Sequence, residues 1–217
     1  MPSGSVVTAF LLARAFALLG LAWAVLALAA QMGAIRRGRR RDYAVAAGNP
    51  TRGLIYNFTV AMLPGHKESI RLHPIEFAAG ILLHAGIMLG LVELVLCIIR
   101  PGGAVAVPQL LWPISVLSLS AGLGLLIRRV SSPLMRFLSV PDDYLAILAT
   151  CGFVAAAALL PLGGAFELAF MIYAALLLIY LPLGKLRHAV FFFVARGEYG
   201  LRLGYRGVYP PTSADAE

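Results

Sequence analysis

Charge is scarce in this sequence. Only 13% of the 217 residues are Asp, Glu, Lys or Arg, against a soluble average of roughly 25%. Cysteine is limited to Cys97 and Cys151, each inside an apolar run and neither in a Cys-x-x-Cys pair. That excludes a disulfide framework and argues against an iron–sulfur cluster held by this chain; both read as small buried hydrophobes. No P-loop, Ser/His/Asp set, paired-carboxylate constellation or internal repeat is present, so nothing points to a hydrolase, and a transporter built from inverted repeats is disfavoured. Histidine occurs four times, at His66, His73, His84 and His188.

What is abundant is apolar surface. Hydrophobic residues make up 60% of the chain and the mean hydropathy is +0.86. A soluble domain of this size could not hide so much, whereas a bilayer solvates it. Five stretches, residues 7–32, 74–99, 107–127, 144–162 and 166–194, are long and apolar enough to span. They predict an all-α fold, an integral membrane bundle of five transmembrane helices forming one domain over residues 1–217. The first stretch exceeds a signal-peptide core of roughly 7–15 residues and has no basic segment before it, so it reads as a retained helix.

The net charge of +8 follows the loops. Arg36, Arg37, Arg39, Arg40 and Arg41 follow the first stretch, Arg128, Arg129 and Arg136 the third, and Arg196, Arg202 and Arg206 the fifth; the other connections carry chiefly Arg100. By the positive-inside rule the amino terminus is outside, and the loop 35–73 and tail 195–217 are cytoplasmic. The basic residues thus read as topology signals, with membrane lipid and not nucleic acid as the partner.

An ionisable residue inside a span is a functional candidate. His84 lies ten residues into the second stretch, roughly 15 Å deep, and His188 lies eight residues before Arg196, roughly 12 Å from the same side. Two imidazoles at one level on different helices are what bis-histidine haem ligation requires. Gly80 and Gly184 precede them by four residues, on the same helix face, where a missing side chain leaves room for a flat macrocycle. The competing reading is two buried polar histidines bonded to neighbouring helices. His73, before Pro74, suits a helix cap, a propionate contact or a second haem; His66 reads as a loop residue facing a partner or solvent.

Three stretches carry a family resemblance: Leu-Leu-His-Ala-Gly-Ile ending at Ile87; Leu-Leu-Ile-Arg-Arg-Val-Ser-Ser-Pro ending at Pro133, with Asp142 and Asp143; and Leu-Pro-Leu-Gly-Lys-Leu-Arg-His ending at His188. With five stretches in the same order, the chain after Pro64 resembles the membrane cytochrome b family of respiratory nitrate reductase gamma subunits. Its relatives include membrane subunits of heterodisulfide reductase and of sulfite-reductase-associated complexes. The resemblance implies a prokaryotic cytoplasmic-membrane protein with haem b between the second and fifth helices, His84 and His188 being the axial ligands of the iron. It implies a cytoplasmic iron–sulfur partner subunit and quinone or menaquinone as substrate. The chain is then an electron-transfer subunit of a quinone-linked oxidoreductase and not a stand-alone enzyme. The family commonly carries a second, outer haem, whose ligands would fall near Leu94 and Phe170; neither is histidine, so one haem is expected.

Glu93 and Glu167 lie beside those two positions and are candidates for a quinone pocket or proton route. Arg128, Arg129 and Lys185 are candidates for pairing with haem propionates, the alternative being that they mark the membrane boundary. The rival to the whole reading is a haem-free membrane anchor or assembly subunit.

Overall fold

The computed structural model describes residues 4–38, 43–66, 70, 72–99 and 112–211. Residues 107–111 of the third expected span, and Arg39, Arg40, Arg41 and Arg100 of the topology argument, lie outside the described residues. The described chain is helical: α1 Gly4–Arg37, α2 Pro50–Phe58, α3 Pro74–Ile99, α4 Trp112–Ser131, α5 Pro133–Leu138, α6 Pro141–Ala158, α7 Gly164–Tyr180 and α8 His188–Tyr205. Helices α1, α3 and α4, and α6 extended by its 3-10 turn to Leu162, are each long and apolar enough to cross a membrane. The all-α membrane bundle read from hydropathy is the architecture observed.

Proline sets many of the helix starts. Pro50, Pro74, Pro133 and Pro141 each open a helix, where the missing N–H costs nothing and φ is already helical. Caps complete three of these starts: Asn49 accepts the Arg52 N–H at 3.1 Å, Ser132 accepts the Met135 N–H at 3.4 Å, and the Asp143 carboxylate accepts the Val140 N–H at 3.0 Å. Between α6 and α7 the chain turns at Gly163, whose φ of +118° suits glycine.

The fifth apolar stretch is not one helix. Helix α7 ends at Tyr180, a 3-10 turn follows at Lys185–Arg187, and α8 starts at His188. Pro182 explains the stop: a proline there would remove a helical hydrogen bond and drive its ring against the carbonyl four residues back. The pair counts as a fifth span only as a broken one.

The chain divides into two compact units, Met1–Ala29 with Ile75–Leu186, and Ala30–Pro74 with Arg187–Glu217. The first is packed on small residues. Helix α1 buries Ala13, Ala17, Gly20 and Ala24 on one face, with Gly20 against the backbone of Ala175. Gly86 of α3 lies on Ser118 of α4, and Gly90 lies under the Phe153 ring of α6. Ser118 Oγ donates to the Leu82 carbonyl at 2.6 Å. Long aliphatic side chains such as Leu12, Leu19 and Leu26 point outward. Small residues inside and large ones outside is the arrangement of helices solvated by lipid, where close backbone approach and dispersion hold the bundle.

The second unit joins what the hydropathy profile treats as loop and tail. Helix α2 lies against α8 at Gly53, Gly200 and Gly204, so closely that a Cβ on Gly204 would sit 2.9 Å from Gly53 Cα and one on Gly200 2.8 Å from Leu54 Cα. Asn57, 2% exposed, donates to the Arg196 carbonyl, and Arg196 Nη2 donates to the Asn57 carbonyl at 2.6 Å. The N–H groups of Ala47 and Gly48 donate to the Tyr205 carbonyl at 2.9 and 3.0 Å. A Gly200→Val substitution is expected to destabilise this pairing by about 1–3 kcal/mol through overpacking. Amide hydrogen exchange across residues 188–205 should then accelerate, whereas Gly197→Ala, where an added Cβ meets open space, should leave it unchanged.

Candidate functional site

His84 sits midway along α3 with its side chain on the outward face of the helix. Its Nδ1 lies 2.7 Å from the Gly80 carbonyl oxygen. A carbonyl only accepts, so Nδ1 carries the proton and donates. Iron-ligating histidines are characteristically held this way, with the second nitrogen donating to a backbone carbonyl or carboxylate. At Gly80 an added Cβ would meet nothing within 4 Å, so the helix surface beside the ring is open. These residues fit a haem ligand and its clearance.

His188 is the first residue of α8 and is exposed. It belongs to the second unit and His84 to the first. The clearance expected at Gly184 is taken up differently, because a Cβ there would collide with the ring of Tyr180; Gly184 makes room for a tyrosine. His73 is exposed and directly precedes α3, and His66 closes the 3-10 turn Pro64–His66. Among the described residues no group of three His, Cys, Asp or Glu is arranged to hold a metal ion, which leaves a two-ligand haem site untouched.

The three basic candidates meet carboxylates of this chain. Arg128 Nη2 lies 3.1 Å from Glu76 Oε1. Asp143 gathers Lys185 Nζ at 2.6 Å and Arg129 Nη1 at 3.5 Å, while Arg129 Nη1 also donates to Ser139 Oγ at 2.8 Å. Asp142 accepts the Lys185 backbone N–H at 2.8 Å and the Tyr180 hydroxyl. The Arg-Arg turn motif, the Asp-Asp pair and the start of the Gly-Lys-Leu-Arg-His motif are thus one polar network closing one end of the first unit.

Near the other end, where α1 begins, the two positions at which the resemblance implies outer-haem ligands are packed solid. Leu94 and Phe170 are 5% and 0% exposed, and the Phe170 ring stacks on Phe153 with centroids 5.3 Å apart. Glu93 and Glu167 are buried beside them. Reasoning from sequence overlooked Arg14 of α1, which donates through Nε and Nη2 to the Cys97 carbonyl at 3.2 and 2.8 Å. The signal was a lone arginine inside an uninterrupted apolar run.

Comparison with protein-family models, with curated proteins and with solved structures gave no match. Removing the hub of the polar network has a definite expected cost. Asp143→Ala deletes a helix cap and two cation partners and should lower stability by about 1–3 kcal/mol. Glu76→Ala, which breaks a half-exposed pair, should cost about 0–1 kcal/mol. Reversible unfolding of the two variants in detergent gives the ranking.

Proposed function

We propose that this chain is the haem b-carrying membrane subunit of a respiratory oxidoreductase complex of a prokaryotic cytoplasmic membrane, with the amino terminus outside. It passes electrons between the quinone pool and an iron–sulfur partner subunit on the cytoplasmic side. The observation that carries this reading is the His84–Gly80 contact, in which a histidine within an apolar helix turns Nδ1 to a backbone carbonyl beside a glycine where the helix surface is open. The resemblance of the three motif stretches supports it.

His84 and His188 would hold the iron. When bound, haem b supplies a one-electron carrier that lets two-electron quinone chemistry be split into single steps. The Gly80 carbonyl fixes the His84 tautomer and raises the basicity of its ring. Arg128, Arg129 and Lys185 lie toward the end that faces the partner in this orientation, held by Glu76 and Asp143. Packing at Leu94 and Phe170 supports a single haem.

Purified protein is expected to give a b-type reduced-minus-oxidised spectrum at about one haem per chain. His84→Ala and His188→Ala should each abolish it. Gly80→Leu should lower haem content while leaving helix content intact, because the added side chain enters open space. Absence of the spectrum from the unsubstituted protein would leave the haem-free membrane anchor as the better account.

A further inference from the structure

The pairing of α2 with α8 inverts the order of a water-soluble core. The buried residues of the two helices are Gly53, Asn57, Gly200 and Gly204, three of them without a side chain. The bulky apolar side chains are outside: Ile55 is 57% exposed, Phe193 60% and Tyr199 63%. In water this arrangement gains little from the hydrophobic effect, because its apolar surface stays wet.

The same unit is strongly basic. Residues 30–74 and 187–217 hold 12 of the 18 Lys and Arg and 5 of the 10 Asp and Glu, which is +7 of the chain's net +8. On α8 and its C-cap the two characters share one stripe. Phe192, Tyr199, Arg202 and Arg206 are all exposed and follow one another at steps of seven, three and four, the repeat of a single helix face. Arg202 Nε lies 3.8 Å from Glu198 Oε2, a half-exposed pair that water or a phosphate replaces at small cost. Helices α1 and α3 are each long and apolar enough to cross a membrane; α1 runs on into this unit and α3 begins where its first segment ends. In a bilayer the chain therefore enters and leaves the unit at the membrane surface.

We propose that the α2–α8 unit binds anionic phospholipid at that surface. Its outward aromatic and aliphatic side chains lie among the upper acyl chains, as in interfacial amphipathic helices. Its arginines hold lipid phosphates, whose oxygens match the guanidinium fork. Charge selects the occupant: an apolar face alone suits any hydrophobic partner, whereas arginines on the same stripe as aromatics suit a negatively charged lipid surface. The inference rests on the membrane bundle and not on haem.

Tyr199→Trp reports the surroundings of the stripe. The full chain is placed in nanodiscs of equal parts phosphatidylcholine and phosphatidylglycerol, with bromine near the top of the acyl chains of one lipid or the other. The parent protein, with Trp23 and Trp112, supplies the background fluorescence. The introduced tryptophan is expected to be quenched by both lipids, and more strongly by brominated phosphatidylglycerol. Adding Arg202→Gln and Arg206→Gln should abolish that preference while quenching persists; Arg202→Lys with Arg206→Lys should retain it. Circular dichroism checks that helix content is kept. No quenching by either lipid, the result for a face in water or under a protein partner, overturns the proposal. So does equal quenching by the two lipids, or a preference that survives the double glutamine substitution.

Discussion

Lipid offers no hydrogen bonds, and this constraint decides most of what the chain does. A segment that crosses hydrocarbon must satisfy its own backbone, which selects helices. Since lipid tails are as apolar as leucine, burying leucine between two such helices gains little, and close contact becomes the remaining source of cohesion. Ala13, Ala17 and Gly20 on α1, Gly86 and Gly90 on α3, and Ser118 and Gly122 on α4 occupy the contacts for that reason. The bulky aliphatics are left for the outside. The second unit obeys a related rule at smaller scale: Gly53, Gly200 and Gly204 bring two helix backbones together, and the polar pair of Asn57 and Arg196 is closed reciprocally so that neither carbonyl is stranded.

Hydropathy made the membrane helices legible, because a run of about 20 apolar residues has few other uses. It misjudged the fifth stretch, since an averaged window is blind to a single breaker. Pro182, followed by Gly184, ends α7 although every neighbouring residue is apolar. It also passed over α2, whose nine residues are too short and too mixed to register. The local signals were there in Asn49 followed by Pro50, a cap and a helix-opening proline. The partner of α2 was not readable, because the matching glycines of α8 lie about 150 positions away in sequence and only the fold brings them together.

The candidate site was legible to a similar degree. His84 stood out as an ionisable residue in an apolar run, and the contact with Gly80 follows from helical i–4 spacing once the helix exists. Gly184 has the same spacing from His188 but not the same surroundings, because the intervening residues leave the α-helix and Tyr180 folds over it. Spacing transfers to three dimensions only where the secondary structure is continuous. Arg14 was overlooked for the converse reason. Its neighbours on α1 are apolar and uninformative, and its meaning comes from the Cys97 carbonyl on another helix.

Charge in the first unit is therefore sorted by position along the bundle. At one end Asp142, Asp143, Glu76, Arg128, Arg129 and Lys185 pair within reach of water, where ion pairs form and reform at small cost. At the other end Glu93 and Glu167 are buried, where an unbalanced charge is expensive, and Arg14 reaches the Cys97 carbonyl one turn beyond Glu93. His84 lies between the two sets, on a stretch of α3 that carries no other ionisable side chain from Phe77 to Val92. The imidazole in that stretch has no counter-charge on its own helix, and its Nδ1 is anchored by the Gly80 carbonyl. Iron-binding histidines are commonly held by such a contact, the second ring nitrogen donating to a backbone carbonyl.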